Sequence, residues 1–308
     1  MKKIVLIGSG NVGIAYAYAM LLHSSKDICF SIIDIDEEKV EGQVEDLLHA
    51  SYLLPQNMKI QVGSYQDCSE ADIVCITAGV SQNGNKKSRM EDLKKANQII
   101  KEIIQNVKKT GFCGIYLIAS NPLDVMCYAT YVYSNCPKEK VIGTGTLLDT
   151  IRLKSFLARE VNKSKYEVYG YVLGEHGKTA FPVWSKCYVH ENSIQEILPV
   201  DQLNKIEQEM KEAGFKVCQK QGFTCYGVAM CLCEITNAIL EDRQCVMPVC
   251  SYYEPEKLFI STPTLIGKEG VIKSGILDLS LAEKQKLQIS ISAIKEGIKE
   301  LDLDKKVE

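Results

Sequence analysis

Histidine is scarce in this chain, with four in 308 residues, and tryptophan occurs once. No apolar stretch approaches the roughly 20 residues that a membrane-spanning helix needs. The apolar start from Ile4 to Ile7 is too short for a secretion-signal core and runs straight into Gly8-Ser9-Gly10. An excess of basic charge is missing too: 36 Lys and Arg stand against 39 Asp and Glu, for a net charge of −3. A nucleic-acid surface, which needs a basic patch, is therefore not expected, nor is a membrane partner. Among 13 cysteines there is no C-x-x-C pair, the tightest spacing being Cys231 and Cys233. That argues against a zinc site and against a disulfide framework, so no metal is expected. Most of these cysteines fall inside apolar runs, where a thiol behaves as a small buried hydrophobe, and their number suits a reducing cytoplasm.

What remains is an ordinary globular composition, 46% hydrophobic and 24% charged, with length enough for two packed units. The chain opens on an apolar run, Lys3 to Ile7, that ends at Gly8-Ser9-Gly10-Asn11-Val12-Gly13 and leads into an alanine-rich segment. Strand, glycine turn and buried helix in that order form the dinucleotide fingerprint. The glycines allow the turn, the approach of a pyrophosphate and close helix–strand packing, while the helix N-terminus presents free N–H groups. A second apolar run, Ile28 to Ile33, ends in Asp34, twenty-one residues after Gly13. A carboxylate there accepts from ribose hydroxyls and repels a 2′-phosphate, which favours NAD over NADP.

Strand-like and helical runs then alternate. Ala71 to Ala78, Gly114 to Ala119 and Val141-Ile142 read as strands; Leu93 to Val107 and Val125 to Tyr133 read as helices. Repeated alternation predicts a Rossmann-type, doubly wound parallel sheet, in which ligands sit at the carboxyl ends of strands. Gly8, Asp34, Thr77-Ala78-Gly79 and Asn121 all fall at such ends. From about Asp149 the texture changes. Asp149 to Val161, Leu203 to Gln221, Tyr226 to Leu240 and Ala282 to Leu301 read as helices. Glu167 to Leu173 reads as one strand, and Val246 to Tyr253 with Lys257 to Leu265 as a strand pair. The expected organisation is α/β, with a nucleotide-binding domain over 1–146 and an α+β substrate domain over 147–308. No linker-like segment separates them, so direct packing is expected.

One of the four histidines, His176, lies in Leu173-Gly174-Glu175-His176-Gly177. Small neighbours let a ligand approach the ring, and an imidazole titrates where carbonyl redox chemistry needs a proton carrier. A tight turn with its ring satisfied by backbone is the competing reading of that stretch.

Taken together, GSGNVG, Thr77-Ala78-Gly79, GFCGIYLIASNP ending at Pro122, VIGTGTLLDTIR ending at Arg152, LGEHG and QGFTCYGVAM ending at Met230 resemble the NAD-dependent L-lactate and malate dehydrogenases. The resemblance runs from about Lys3 to Glu300. It implies reversible hydride transfer between NADH and a small 2-oxo monocarboxylate, pyruvate first, by a cytoplasmic homo-oligomer (dimer or tetramer) of glycolysis and fermentation. It implies that His176 donates and accepts the proton, with Asp149 as its carboxylate partner. Arg152 would clamp the substrate carboxylate, Arg89 would polarise the carbonyl from a loop that closes over substrate, and Asn121 would orient the reacting oxygen beside the nicotinamide. Thr224 would lie near the substrate carboxylate. Gly8, Gly10, Asn11, Val12, Gly13, Asp34, Thr77, Ala78, Gly79 and Asn121 would hold NAD.

Departures from the family pattern gather in one loop. Between Gly79 and Arg89 the chain is one residue longer than is common, and Gly84-Asn85-Lys86-Lys87 replaces the usual Pro-Gly. The family's specificity position falls on Gln82, or on Asn83 if counted back from Arg89. Both are neutral, which favours a monocarboxylate, since an unpaired buried second carboxylate costs several kcal/mol. The longer loop leaves open a larger 2-oxo acid, of the 2-hydroxyisocaproate type; malate is a further alternative, and a non-catalytic NAD-binding relative is the alternative of a different class. Lys178 stands where an acidic residue is common. Lys154 and Tyr169 stand where many bacterial members carry the arginine and histidine of a sugar-bisphosphate site. Activation by fructose 1,6-bisphosphate is therefore expected to be weak or absent. The N-terminal arm of vertebrate members is expected to be absent too.

Overall fold

The computed structural model of the chain describes residues 1–24, 26–54, 58–80, 89–275 and 277–303. The first half alternates strand and helix: β1 (Lys2–Ile7), α1 (Asn11–His23), β2 (Ile28–Ile33), α2 (Glu37–Ser51), β3 (Met58–Val62), β4 (Ile73–Ile76), α3 (Arg89–Lys109), β5 (Ile115–Ile118), α4 (Leu123–Ser134) and β6 (Val141–Gly143). The second half begins with α5 (Leu147–Glu160) and five short pieces, β7 (Val168–Tyr169), β8 (Val172–Leu173), β9 (Phe181–Pro182), β10 (Tyr188–Val189) and β11 (Asn192–Ser193). Then come α6 (Ile194–Ile197), α7 (Val200–Gln221), α8 (Tyr226–Leu240), β12 (Cys245–Tyr253), β13 (Leu258–Gly267), β14 (Gly270–Lys273) and α9 (Leu281–Glu300).

Strands β1 to β6 pair in parallel in the order β3-β2-β1-β4-β5-β6, the doubly wound arrangement expected from the alternation. Their residues are apolar on both faces because helices cover both. Ile4, Leu6, Phe30 and Ile32 pack toward α1, α2 and α8, while Val5, Val74, Tyr116 and Ile118 pack toward α3, α4 and α9. The two halves are not merely docked. Strand β12 pairs antiparallel with β6 through Cys250 and Gly143, so β12, β13 and β14 extend the same sheet to nine strands. The expected pair of long strands is there, in register from Cys245–Ile266 to Tyr253–Leu258.

One local reading needs correction. The single strand expected from Glu167 to Leu173 is broken. Val168–Tyr169 pairs with β10 and Val172–Leu173 pairs with β9, in two separate sheets. Gly170 lies between them, where a Cβ would come 2.6 Å from the Cys187 Sγ, so the Cys187 side chain packs directly on the bare backbone at the break. Helix α2 is not among the elements expected from the sequence, because its surface is mostly charged and its apolar period is thin. Its signals are an Asp36 cap that accepts from the Lys39 N–H at 3.2 Å and an apolar line at Val40, Val44 and Leu47.

Candidate active site

The nucleotide end of the sheet is built largely from backbone. After β1 the chain turns at Gly8, whose φ is +103°, and α1 begins at Asn11. A Cβ on Gly13 would meet the Gly8 carbonyl oxygen at 2.0 Å, and one on Gly8 would meet the Ala78 nitrogen at 2.5 Å. Strand β1, helix α1 and the Thr77-Ala78 segment after β4 therefore interlock only because these positions are bare. The Thr77 hydroxyl donates to the Gly8 carbonyl at 2.6 Å and closes the knot. No side chain caps the start of α1 and no acid sits in its first turn. Its exposed first-turn residue Asn11 and half-buried Val12 flank open space, since a Cβ on Gly10 would touch nothing within 4 Å. At the end of β2, Asp34 accepts from the Ser9 N–H at 2.6 Å and the Asp36 N–H at 3.3 Å. Burial works to raise its pKa, but these donors outweigh it and hold the carboxyl below its usual range. An uncapped, acid-free helix end beside an ionised strand-end carboxylate fits the pyrophosphate and ribose of NAD.

The second half of the site is built from side chains on separate elements. Asp149 lies in the first turn of α5, where the helix dipole favours an anion. Its Oδ2 is 2.9 Å from His176 Nδ1, and its Oδ1 accepts from Arg152 at 3.1 Å. One carboxylate thus holds an imidazole and a guanidinium together. The histidine turn reaches this place because α5 grips the strand leading to it: Thr150 Oγ1 accepts from the Val172 N–H at 2.9 Å, and the Thr146 hydroxyl donates to the Val172 carbonyl. From the other side Gly174 exchanges backbone hydrogen bonds with Ser261 of β13 at 3.1 and 3.3 Å. Helix α9 braces the turn as well, Ser290 Oγ donating to the Thr179 carbonyl at 2.9 Å.

Burial alone would lower the pKa of His176, but the hydrogen bond and charge of Asp149, aided by Asp124, raise it above the usual 6.5; Arg152 opposes them. Asp149 shows the matching shift. Its burial favours the neutral form, yet His176 and Arg152 hold the carboxyl below its normal value. The ring is 26% exposed, so it can still meet a ligand. Beside the Arg152 fork, a Cβ on Gly214 would come 3.3 Å from Nη2, which makes that glycine a source of room at the guanidinium.

Asn121 is exposed just beyond the carboxyl end of β5. Thr224 is half-buried between α7 and α8. Gly79 follows β4 on the same edge as Ala78. Helix α3 begins at Arg89, whose side chain lies outside the described part, and Gln82 and Asn83 fall outside the described residues. The structure also brings in a residue that sequence reasoning missed. Asp124, second in α4, accepts from the His176 backbone N–H at 2.8 Å through Oδ2. Its signal was available: a lone acid in Leu123-Asp124-Val125-Met126, three residues past Asn121. Lys154 and Tyr169 do come together, the ammonium standing 5.9 Å from the ring centroid. With Lys186, Ile151, Val246 and Pro248 they line a cavity of about 460 Å³ on the side of α5 turned away from Asp149. All thirteen cysteines are free, and among the described residues no group of side chains is arranged to hold a metal and no helix is long and apolar enough to cross a membrane.

Comparison with known proteins covers nearly the whole chain. The family model described as lactate/malate dehydrogenase, NAD binding domain, matches residues 2–143. The model described as lactate/malate dehydrogenase, alpha/beta C-terminal domain, matches residues 146–303. An L-lactate dehydrogenase of Halalkalibacterium halodurans is 39% identical over 299 residues, 96% of each chain. One of Bacillus velezensis is 38% identical over 303 residues, covering 95% of this chain and 94% of that one. Among solved structures, the minor L-lactate dehydrogenase of Enterococcus mundtii in its ligand-bound form has a TM-score of 0.93 at 32% identity, covering 97% of this chain and 98% of that one. A lactate dehydrogenase from a deep-sea metagenome of the Medee basin has a TM-score of 0.94 at 32% identity, covering 98% and 99%.

Proposed function

The chain belongs to the lactate/malate dehydrogenase family, and we propose that it is an NAD-dependent L-lactate dehydrogenase that reversibly reduces pyruvate. The observation that carries this reading is the sharing of Asp149 by His176 and Arg152. A 2-oxo monocarboxylate has a carboxylate and a carbonyl oxygen on adjacent carbons. A guanidinium fork suits the first and an imidazolium the second, and here one carboxylate sets both. Bound NADH supplies the hydride.

The residues of this chain do the rest. Arg152 binds the substrate carboxylate and so fixes which face of the carbonyl is presented. His176, protonated, places its Nε2 proton on the carbonyl oxygen as the carbon is reduced, because Asp149 holds Nδ1 and leaves Nε2 free for substrate. Asp149 keeps the imidazolium stable before transfer and the ring oriented after it. Asn121 orients the reacting oxygen and Thr224 flanks the carboxylate. Arg89 adds positive charge at that oxygen, the electrostatic form of catalysis, and the specificity position, Gln82 or Asn83, is neutral in either register and offers a second carboxylate no partner. In lactate oxidation the same His176, neutral, takes the hydroxyl proton.

The division into a nucleotide-binding domain over 1–146 and a substrate domain over 147–308 follows these roles, with Asp149 and Arg152 on the second domain's first helix. We place the enzyme in the cytoplasm, serving glycolysis and fermentation as a homo-oligomer. Exposed apolar side chains support self-association: Tyr52 and Leu53 at 89%, Phe215 at 66% and Tyr226 at 69%. The test is a substrate panel with NADH at fixed pH. kcat/KM is expected to be highest for pyruvate, lower for 2-oxoisocaproate and lowest for oxaloacetate. A higher value for oxaloacetate would refute the monocarboxylate assignment, and NADH binding without turnover of any of the three would refute catalysis.

A further inference from the structure

Helix α2 does more than cover one face of the sheet. Lys39 and Gln43 stand one turn apart on it, and both reach one atom of the glycine-rich loop. The Ser9 carbonyl oxygen accepts from Lys39 Nζ at 3.2 Å and from Gln43 Nε2 at 3.1 Å. On its other side the Ser9 N–H donates to Asp34 Oδ2 at 2.6 Å. The Ser9 side chain is fully buried, so this residue is held through its main chain. Glycines flank it on both sides, and a glycine-flanked segment does not by itself fix the direction of its peptide planes. The two donors from α2 do. In a planar trans peptide the N–H points opposite to the carbonyl. With the Ser9 carbonyl held toward α2, the Gly10 N–H is turned away from it, at the start of the run of N–H groups that opens α1. Gln43 carries a cost as well. Its Oε1 is buried without a hydrogen-bond partner among the described residues, a penalty that an apolar side chain would not bear. The packing of α2 alone gives no reason for an amide at this position.

We propose that Gln43, with Lys39, is a positioning residue for the cofactor: by holding the Ser9 carbonyl against α2 it aims the N–H groups from Gly10 onward at the pyrophosphate before the cofactor arrives. This rests on the reading of the cradle as the NAD site. The gain is preorganisation. A glycine-flanked loop that is already ordered in the free protein does not have to be ordered at the moment of binding, so affinity rises without any new contact to the ligand. Gln43 is the firmer of the two holds, because its side chain is short and half-buried, whereas Lys39 is exposed at the end of a long flexible stem. Lys39 adds a second effect: its charge helps to keep the neighbouring Asp34 carboxyl ionised.

Gln43→Met removes the donor and the unsatisfied oxygen together and keeps an unbranched side chain of similar reach, while Lys39 still serves the Ser9 carbonyl. Two ligands are titrated against the intact protein: NADH, and ADP-ribose, which carries the adenosine and the pyrophosphate but no nicotinamide. Both are expected to bind more weakly by the same factor, about threefold to tenfold, the loss of one hydrogen bond. The unfolding midpoint of the free protein should be kept or raised, since a buried unsatisfied oxygen goes with the amide. At saturating NADH, kcat and KM for pyruvate should stay within about twofold of the parent, because the histidine turn is untouched. Adding Lys39→Met should carry the binding loss beyond about tenfold. Affinity for ADP-ribose equal to that of the parent would overturn the proposal, and so would a fall in kcat as large as the fall in affinity. Should Gln43→Met not fold, Lys39→Met alone decides, since an exposed lysine is replaced without touching the core: a loss of about twofold to threefold for both ligands supports the proposal, and unmoved affinity contradicts it. The binding arm uses no 2-oxo acid, so failure of the pyruvate assignment would not be mistaken for failure of this one; a parent protein that bound neither ligand would strike the cradle itself.

Discussion

The nucleotide cradle and the histidine turn are built by opposite means. The cradle is contiguous chain and mostly backbone: Gly8 to Gly13 make the turn, the bare positions permit the contacts, and Thr77 adds one hydroxyl. The turn is a meeting of side chains from distant elements, His176 reaching Asp149 across 27 positions and Asp124 across 52. A backbone site is insensitive to protonation and intolerant of an added carbon. A side-chain site tolerates changes of volume nearby and fails when one charge is altered. The two regions should therefore break under different substitutions and with different signatures.

The largest expected effect is His176→Asn, which removes the proton carrier and leaves the cradle untouched. Turnover of pyruvate should fall on the order of 10³-fold, while NADH binding read by fluorescence stays unchanged. Turnover within tenfold of the parent would remove His176 from its role. Next is Arg152→Lys, which keeps the charge and loses the planar fork. kcat/KM for pyruvate should drop about 10²-fold, through KM above all, as expected when a bidentate charge-assisted contact becomes a point contact. In the cradle, Gly13→Ala would force a Cβ to 2.0 Å from the Gly8 oxygen. The overlap should weaken NADH binding about tenfold and cost on the order of 1–3 kcal/mol of stability by denaturant unfolding, with the pH dependence of catalysis unmoved. A shifted pH midpoint in this variant would mean that the two regions are not independent. The smallest expected effect is that of fructose 1,6-bisphosphate, which should change KM for pyruvate by less than about twofold. Lys154 here is engaged with the Tyr169 ring, and neither residue is the bidentate donor that a phosphate favours.

The same contrast explains what could be read from the sequence. Gly8, Gly10, Gly13 and Asp34 carry their meaning in order and spacing, because a cradle of consecutive residues leaves a consecutive trace. The parallel sheet was legible for the same reason, since each strand buried on both faces is an unbroken apolar run. The catalytic cluster left no such trace. Arg152 is one helical step from Asp149, but only the resemblance joined either of them to His176. What joins them in the structure is the grip of Thr146 and Thr150 on Val172, two hydroxyls that no periodicity marks. Asp124 went unnoticed because a single acid at a helix start reads as ordinary first-turn chemistry. The packing of Cys187 on Gly170 and the joining of the two halves through Cys250 and Gly143 depend on close approach between segments far apart in the chain.

The central claim is that one imidazole, paired with Asp149, passes the proton in both directions. The measurement that meets it most directly is kcat/KM against pH for pyruvate reduction and for L-lactate oxidation in the same preparation. Reduction needs His176 protonated and oxidation needs it neutral. Reduction is expected to decline, and oxidation to rise, through one shared midpoint above 6.5, the direction in which Asp149 displaces the ring against the opposing pull of burial. Limbs that run in the same direction, or two midpoints that Asp149→Asn leaves in place, would contradict it.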